Sequence, residues 1–246
     1  MVALLFDTAT KCGVAALFEG ERLLAKREFA AAFTNSKFLL PIVSELLENC
    51  NLTVKDLQYI AVGVGPGSYT GIRVAVAFAK GLSFSLQIPL VALSSIKGFL
   101  PDPNRGEDCR FMSAIDARIG GIYCICGHRT SGKIHFDTAE ELLSIEDFIT
   151  KLDTASMLIT PEGEGSLLQS RIPSIDIQAK IIESNPSIEY LALLAQEAFS
   201  KGECVLDGHL PLLYLRPTQA EINARTLLPN IGNLTIILLS CFNFVR

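Results

Sequence analysis

Asp7, Thr8 and Thr10 close the first apolar run of the chain. A carboxylate and two hydroxyls at a strand end are hard oxygen donors of the kind that meet a magnesium-bound phosphate. The same residues also fit a plain turn, in which Asp7 caps backbone N–H groups and the threonines bond the local chain. The turn is the preferred reading, with a degenerate phosphate-type site as the alternative. A second unusual stretch is Gly63-Val64-Gly65-Pro66-Gly67-Ser68-Tyr69-Thr70-Gly71-Ile72-Arg73. Glycines there allow close backbone approach or positive φ, and a helix beginning just after them offers free N–H groups to an anion. The nucleotide motifs nevertheless fail. No G-K-[ST] occurs, and G-x-G-x-x-G meets Ser68 when started at Gly63 and Thr70 when started at Gly65. A tight strand-to-helix turn is what this spacing supports.

Catalytic and metal signals are weak. The three histidines are His128, His135 and His209. A metal pair on a helix needs one-turn spacing, whereas His128 and His135 lie seven apart across an expected turn, so a structural or surface role is expected for each. Ser68 has no G-x-S-x-G elbow and no histidine near it in sequence to act as its base. The seven cysteines (Cys12, Cys50, Cys109, Cys124, Cys126, Cys204 and Cys241) form no C-x-x-C pair. Their odd number argues against a disulfide framework or a zinc site, and reduced thiols packed in cores are expected. No catalytic residue and no metal ligand is assigned.

The elements that would position these residues alternate between strand and helix. Buried strands are predicted at 2–6 and 59–64, a hairpin over 12–18 and 22–29, and a further strand at 89–93. Helices are predicted at 35–49, entered through Thr34-Asn35-Ser36, and at 72–86. Residues 94–110, with Pro101, Pro103, Asn104 and Gly106, form the best domain junction. Beyond it the order repeats: strands at 110–116, 122–126 and 133–136, a helix at 145–152, a strand at 156–160 and a helix at 188–201. The divisions are 1–104, 105–217 and an atypical uncharged tail, 218–246.

The helix at 72–86 carries only two charges, Arg73 and Lys80. Ala75, Val76, Ala79 and Leu82 form one stripe, and Val74, Phe78 and Leu86 widen it. An ordinary surface helix has one apolar stripe and a charged back. This one is apolar nearly all round and therefore calls for two covers: its own sheet, and either the second half of the chain or a partner.

Composition bounds the partners. Of the 246 residues, 49% are apolar and 19% charged, and the net charge is −5. No run of Lys and Arg exists, which excludes strong nucleic-acid binding by this chain alone. Met1–Thr10 lacks the basic flank of a signal peptide, and the apolar core of the tail, 234–242, is too short to span a bilayer. A soluble cytoplasmic protein is expected.

Five segments resemble the TsaB (YeaZ) family, in order. They are Phe6-Asp7-Thr8-Ala9-Thr10, Asn35-Ser36-Lys37-Phe38-Leu39-Leu40-Pro41, the glycine motif 63–73, Asp116-Ala117-Arg118-Ile119-Gly120-Gly121-Ile122-Tyr123, and Pro211-Leu212-Leu213-Tyr214-Leu215-Arg216. The resemblance spans about residues 1–217, and the glycine motif is its most specific part. It implies an α/β fold of two related actin-like (ASKHA superfamily) domains, each a mixed sheet with helices. It also implies a non-catalytic scaffold or activator that binds a TsaD-like threonylcarbamoyltransferase in making threonylcarbamoyladenosine in tRNA. A TsaE-like ATPase would join them, and tRNA would be met only through the complex. A homodimer through the same helices, and an ATP-binding enzyme or peptidase of the glycoprotease-like family, are the alternatives. The H-x-x-x-H metal pair of the catalytic relative is missing from this sequence. No cofactor is expected on the chain itself, with ATP or ADP and magnesium confined to the complex.

By the same likeness the partner surface would comprise Phe38, Leu39, Ile42, Val43 and Leu46 on the first helix. On the second it would comprise Ile72, Val74, Ala75, Val76, Phe78, Ala79 and Leu82. Three departures stand out: Asn35 where relatives carry histidine, Gly121 where glutamate is usual, and the tail beyond residue 217.

Overall fold

The computed structural model describes residues 1–31, 39–102, 107–172, 178–206 and 209–213. Strand β1 (Val2–Asp7) is apolar until its last residue and is buried on both faces, as a central strand must be. It pairs antiparallel with β2 (Cys12–Glu19) and parallel with β4 (Leu57–Gly63). Strand β3 (Arg22–Ala30) completes a hairpin with β2, and Gly20 takes the positive φ (61°) that this tight turn requires. With β5 (Leu90–Leu93) the first sheet has the order β3-β2-β1-β4-β5.

Helices α1 (Leu39–Asn49) and α2 (Tyr69–Leu86) cover one face of this sheet. Val43, Leu46, Ile72, Ala75 and Ala79 pack there against Leu4, Phe6, Ile60 and Val62. Ser68 caps α2 by accepting from the Gly71 N–H, so the helix starts three residues earlier than its apolar pattern suggested. It ends where Gln87 turns left-handed (φ 56°), just before Pro89.

The second sheet repeats this plan. Central β6 (Cys109–Asp116) is antiparallel to β7 (Ile122–Thr130) and parallel to β10 (Met157–Pro161). The flanking strands are β8 (Lys133–Phe136) and β11 (Lys180–Ser184), in the order β11-β10-β6-β7-β8. Short β9 (Glu141–Leu143) adds to β7. Helices α3 (Ile145–Leu152) and α4 (Gly165–Arg171) cover one face. The repeat of layout legible in the sequence is thus a repeat of topology. Strands β9 and β11 and helix α4 are not legible in the sequence because they are short and carry weak periodicity.

One expectation changes. Helix α5 (Ile188–Ser200) falls in the expected second domain, 105–217. Yet its Ile188, Leu191, Ala192 and Ala195 pack on the far face of the first sheet, against Leu5, Val14, Ala16 and Tyr59. A clean division at residue 105 does not follow the packing. The junction is fastened instead by buried Arg129, whose Nε donates to the Glu107 carbonyl at 2.9 Å and whose Nη1 donates to the Asp102 carbonyl at 2.6 Å. Residues 32–38 and the tail, 218–246, with the readings placed on them (Phe38 included), lie outside the described residues.

Candidate functional site

The glycine motif and the Asp7–Thr10 turn, separate in the sequence, form one structure. Ser68 N–H donates to the Ala9 carbonyl at 2.6 Å, and Thr8 Oγ1 donates to the Gly71 carbonyl at 2.7 Å. A Cβ on Gly63 would collide with the Asp7 carboxyl, on Gly67 with the Ala9 carbonyl, and on Gly71 with the Thr8 carbonyl. The glycines are there to let two backbone segments touch. Gly65 is bracketed by Ser95, donating to the Ser95 hydroxyl and accepting from the Ser95 N–H at 2.8 Å. Pro66 and Val64 are buried inside this contact. Tyr69 and Thr70 are exposed at the start of α2.

This contact consumes the donors a nucleotide would need. Asp7, Thr8 and Thr10 are all buried. Asp7 Oδ1 accepts from the Ala9 N–H at 2.7 Å, and Thr10 Oγ1 donates to the Cys12 carbonyl at 3.0 Å. Asp7 Oδ2 is buried without a hydrogen bond. Burial pushes the Asp7 carboxyl above its ordinary range, with the Ala9 N–H pulling the other way. None of Asp7, Thr8 and Thr10 is more than 7% exposed, so a hydrated magnesium ion does not reach them in this arrangement. The residues present do not fit a magnesium–phosphate group, and no chemical step is assigned to one.

The second sheet ends in a matching turn that sequence reasoning did not pair with the first. Asp116 closes β6 as Asp7 closes β1, but its carboxylate is tied to Arg171 and to Arg118 (3.5 Å). The signal was present as Asp7-Thr8-Ala9 and Asp116-Ala117-Arg118 at equivalent strand ends. Gly121, one of the three departures, has φ 114°, and a Cβ there would strike the Leu143 carbonyl. Any larger residue at 121 requires that turn to be rebuilt.

The helix pair presents a different surface from the one expected. Leu39, Val43, Leu46, Ile72, Ala75, Val76 and Ala79 are buried inside the chain, none more than 4% exposed. In this structure they pack into the chain's own core, so a charge at Val76 or Ala79 would disturb the fold itself. Ile42, Val74, Phe78 and Leu82 are half-buried, Phe78 lying edge-on to Phe6 at 5.5 Å. The outward face of α2 is instead Tyr69, Arg73, Ala77, Gly81 and Phe84, spaced one helical turn apart. The Arg73 guanidinium lies 3.8 Å from the centre of the Tyr69 ring. Phe84 is 81% exposed, and Leu40 on α1 is 54% exposed. Large apolar side chains lie on both the inward and the outward face, so composition alone did not separate them.

Two mixed sheets of one topology, each covered by helices, define a protein of the α/β class built from two related halves. The sequence model of the family described as "TsaD: tRNA N6-adenosine threonylcarbamoyltransferase" matches residues 30–160. The tRNA threonylcarbamoyladenosine biosynthesis protein TsaB of Haemophilus influenzae is 34% identical over 232 residues, covering 88% of this chain and 94% of its own length. TsaB of Bacillus subtilis is 28% identical, covering 90% of this chain and 96% of its own. A tRNA N6-adenosine threonylcarbamoyltransferase of Fusobacterium nucleatum is 39% identical, but over only 64 residues and 19% of its length. The solved structure of YeaZ from Pseudomonas aeruginosa superposes with a TM-score of 0.69 at 28% identity, covering 85% of this chain and 98% of its own. The chain belongs to the TsaB (YeaZ) family of tRNA threonylcarbamoyladenosine biosynthesis proteins.

Proposed function

We propose that this chain is the non-catalytic scaffold and activator subunit that binds a TsaD-like threonylcarbamoyltransferase through the outer faces of α1 and α2. The activity served is the threonylcarbamoyladenosine modification of tRNA in the cytoplasm. The observation that carries the reading is Phe84, a large apolar side chain 81% exposed near the end of an 18-residue helix. Covering such a side chain is worth roughly 1.5–3 kcal/mol, which a partner helix can supply. Whole-length likeness to TsaB proteins supports the same role. A TsaE-like ATPase would join the pair, and tRNA and ATP or ADP with magnesium would be met only in that complex. Among the described residues, no helix is long and apolar enough to cross a membrane.

The test is Phe84→Glu, which places a charge on the exposed stripe without touching the core. Size-exclusion chromatography with a TsaD-like subunit should show the complex lost, while the melting temperature of the isolated chain stays within a degree or two. Undiminished association would remove α2 from the interface. Light scattering of the chain alone distinguishes a homodimer through the same face, which Phe84→Glu would also dissolve. The reading as an ATP-binding enzyme is disfavoured by the self-bonded Asp7–Thr10 turn.

A further inference from the structure

We infer that His128 and His135 form a two-histidine site for a divalent transition-metal ion, of the copper, nickel or zinc kind. The sequence separates them by seven residues, but the β7–β8 hairpin places them directly opposite each other. That register is set by the two-residue turn Ser131-Gly132, both at positive φ (52° and 77°), between the paired Thr130 and Lys133. Opposed residues on antiparallel strands have Cβ atoms about 5 Å apart. The two imidazole rings lie with centroids 5.1 Å apart and planes 21° apart. Imidazole nitrogen is the donor that these borderline ions prefer.

The second observation is the carboxylate behind the pair. His128 Nδ1 lies 2.7 Å from Asp137 Oδ1. Asp137 is itself positioned, its N–H donating to the Cys126 carbonyl at 2.9 Å and its Oδ2 lying 3.9 Å from Arg110 Nη2. A carboxylate on Nδ1 keeps the proton there and leaves the Nε2 lone pair free, the arrangement that orients metal-binding histidines. His135 is exposed and His128 is 39% exposed at its side chain, so an ion reaches both. A cavity of about 620 Å³, lined by Arg110, His128, Asp137, Thr154 and Ser156 among others, opens beside His128. Among the described residues, no group of three or more His, Cys, Asp or Glu side chains is arranged to hold an ion. The site therefore has two protein nitrogens with water completing the shell. Metal–nitrogen bonds of about 2 Å require the two nitrogens within about 4 Å of each other. The two rings lie stacked, so an ion is held only once the exposed His135 ring has turned its nitrogen toward that of His128.

The experiment titrates the full chain, free of any histidine tag, with copper(II), followed by calorimetry and by the nitrogen couplings in electron paramagnetic resonance. Copper is used because it binds such donors most tightly of the series. One equivalent coordinated by two imidazole nitrogens is expected. His135→Ala should weaken binding at least tenfold, and Asp137→Asn by roughly 10–100-fold, the usual cost of losing such an orienting carboxylate. His209→Ala should leave it unchanged. If His135→Ala disturbs the hairpin, His135→Asn keeps a polar side chain on the strand and gives the same comparison. Binding retained in both His135 variants, loss of binding on His209→Ala, or no stoichiometric binding to the unaltered chain would each overturn the site.

Discussion

At the scale of single residues, Asp7 shows how a side chain suited to chemistry is diverted to architecture. Its carboxyl sits under Gly63 with one oxygen bonded to Ala9 N–H and the other bonded to nothing. The folded-state pKa is raised by burial. The unfolded chain therefore releases this proton first, and stability is lost as pH rises from about 3.8 toward the folded value. Asp7→Asn keeps the acceptor for Ala9 and cannot ionise. It should raise the melting temperature at pH 7, with the gain shrinking as pH falls toward 3.8. A constant difference across that range, measured by calorimetry, would show that ionisation of Asp7 is not the cause.

At the scale of elements, α2 has three kinds of position: buried, half-buried and outward. Its glycines mark the two extremes. Gly71 is pressed against the Thr8 carbonyl, whereas Gly81 faces outward, and a Cβ added there would meet nothing within 4 Å. An exposed glycine inside a helix costs about 0.8–1 kcal/mol relative to alanine. Gly81→Ala should therefore stabilise the isolated chain by about that amount in urea unfolding. If the outer stripe is the docking face, the same change should weaken partner binding by crowding a close helix approach. The amphipathic pattern announced the helix and its missing charges. It did not tell which apolar side chains face the sheet, because Phe84 lies on the outward face with Arg73 and Tyr69 and only packing separates it from the inward residues.

At the scale of the molecule, the two sheets are held together by elements that ignore the sequence order. Helix α5 returns from the second half to cover the first sheet. The 3₁₀ turn Ser95–Gly98 leaves the first sheet and places Ile96 against Phe111, Ile125 and Ile159 of the second. Arg129, fully buried, ties the junction through the carbonyls of Asp102 and Glu107. Arg129→Met keeps much of the volume but removes the bonds from the guanidinium to two carbonyls, and a hydrogen bond to a charged group contributes about 1.5–3 kcal/mol. A loss of about 2–5 kcal/mol is expected for Arg129→Met, read by urea denaturation. A change below about 1 kcal/mol would mean that the junction does not depend on this clamp.

The sequence by itself determined the alternation of strands and helices, the repeat of the two halves, the glycine loop and the family. These follow from local periodicity, turn residues and ordered motifs, each written in adjacent positions. Tertiary structure alone decided that the glycines serve a backbone-to-backbone contact with Asp7–Thr10, and that Val76 and Ala79 face inward while Phe84 faces out. It also decided that α5 belongs with the first sheet and that His128 stands against His135. Each of these depends on which segments meet across long sequence separations, and burial and strand register exist only once the chain has closed.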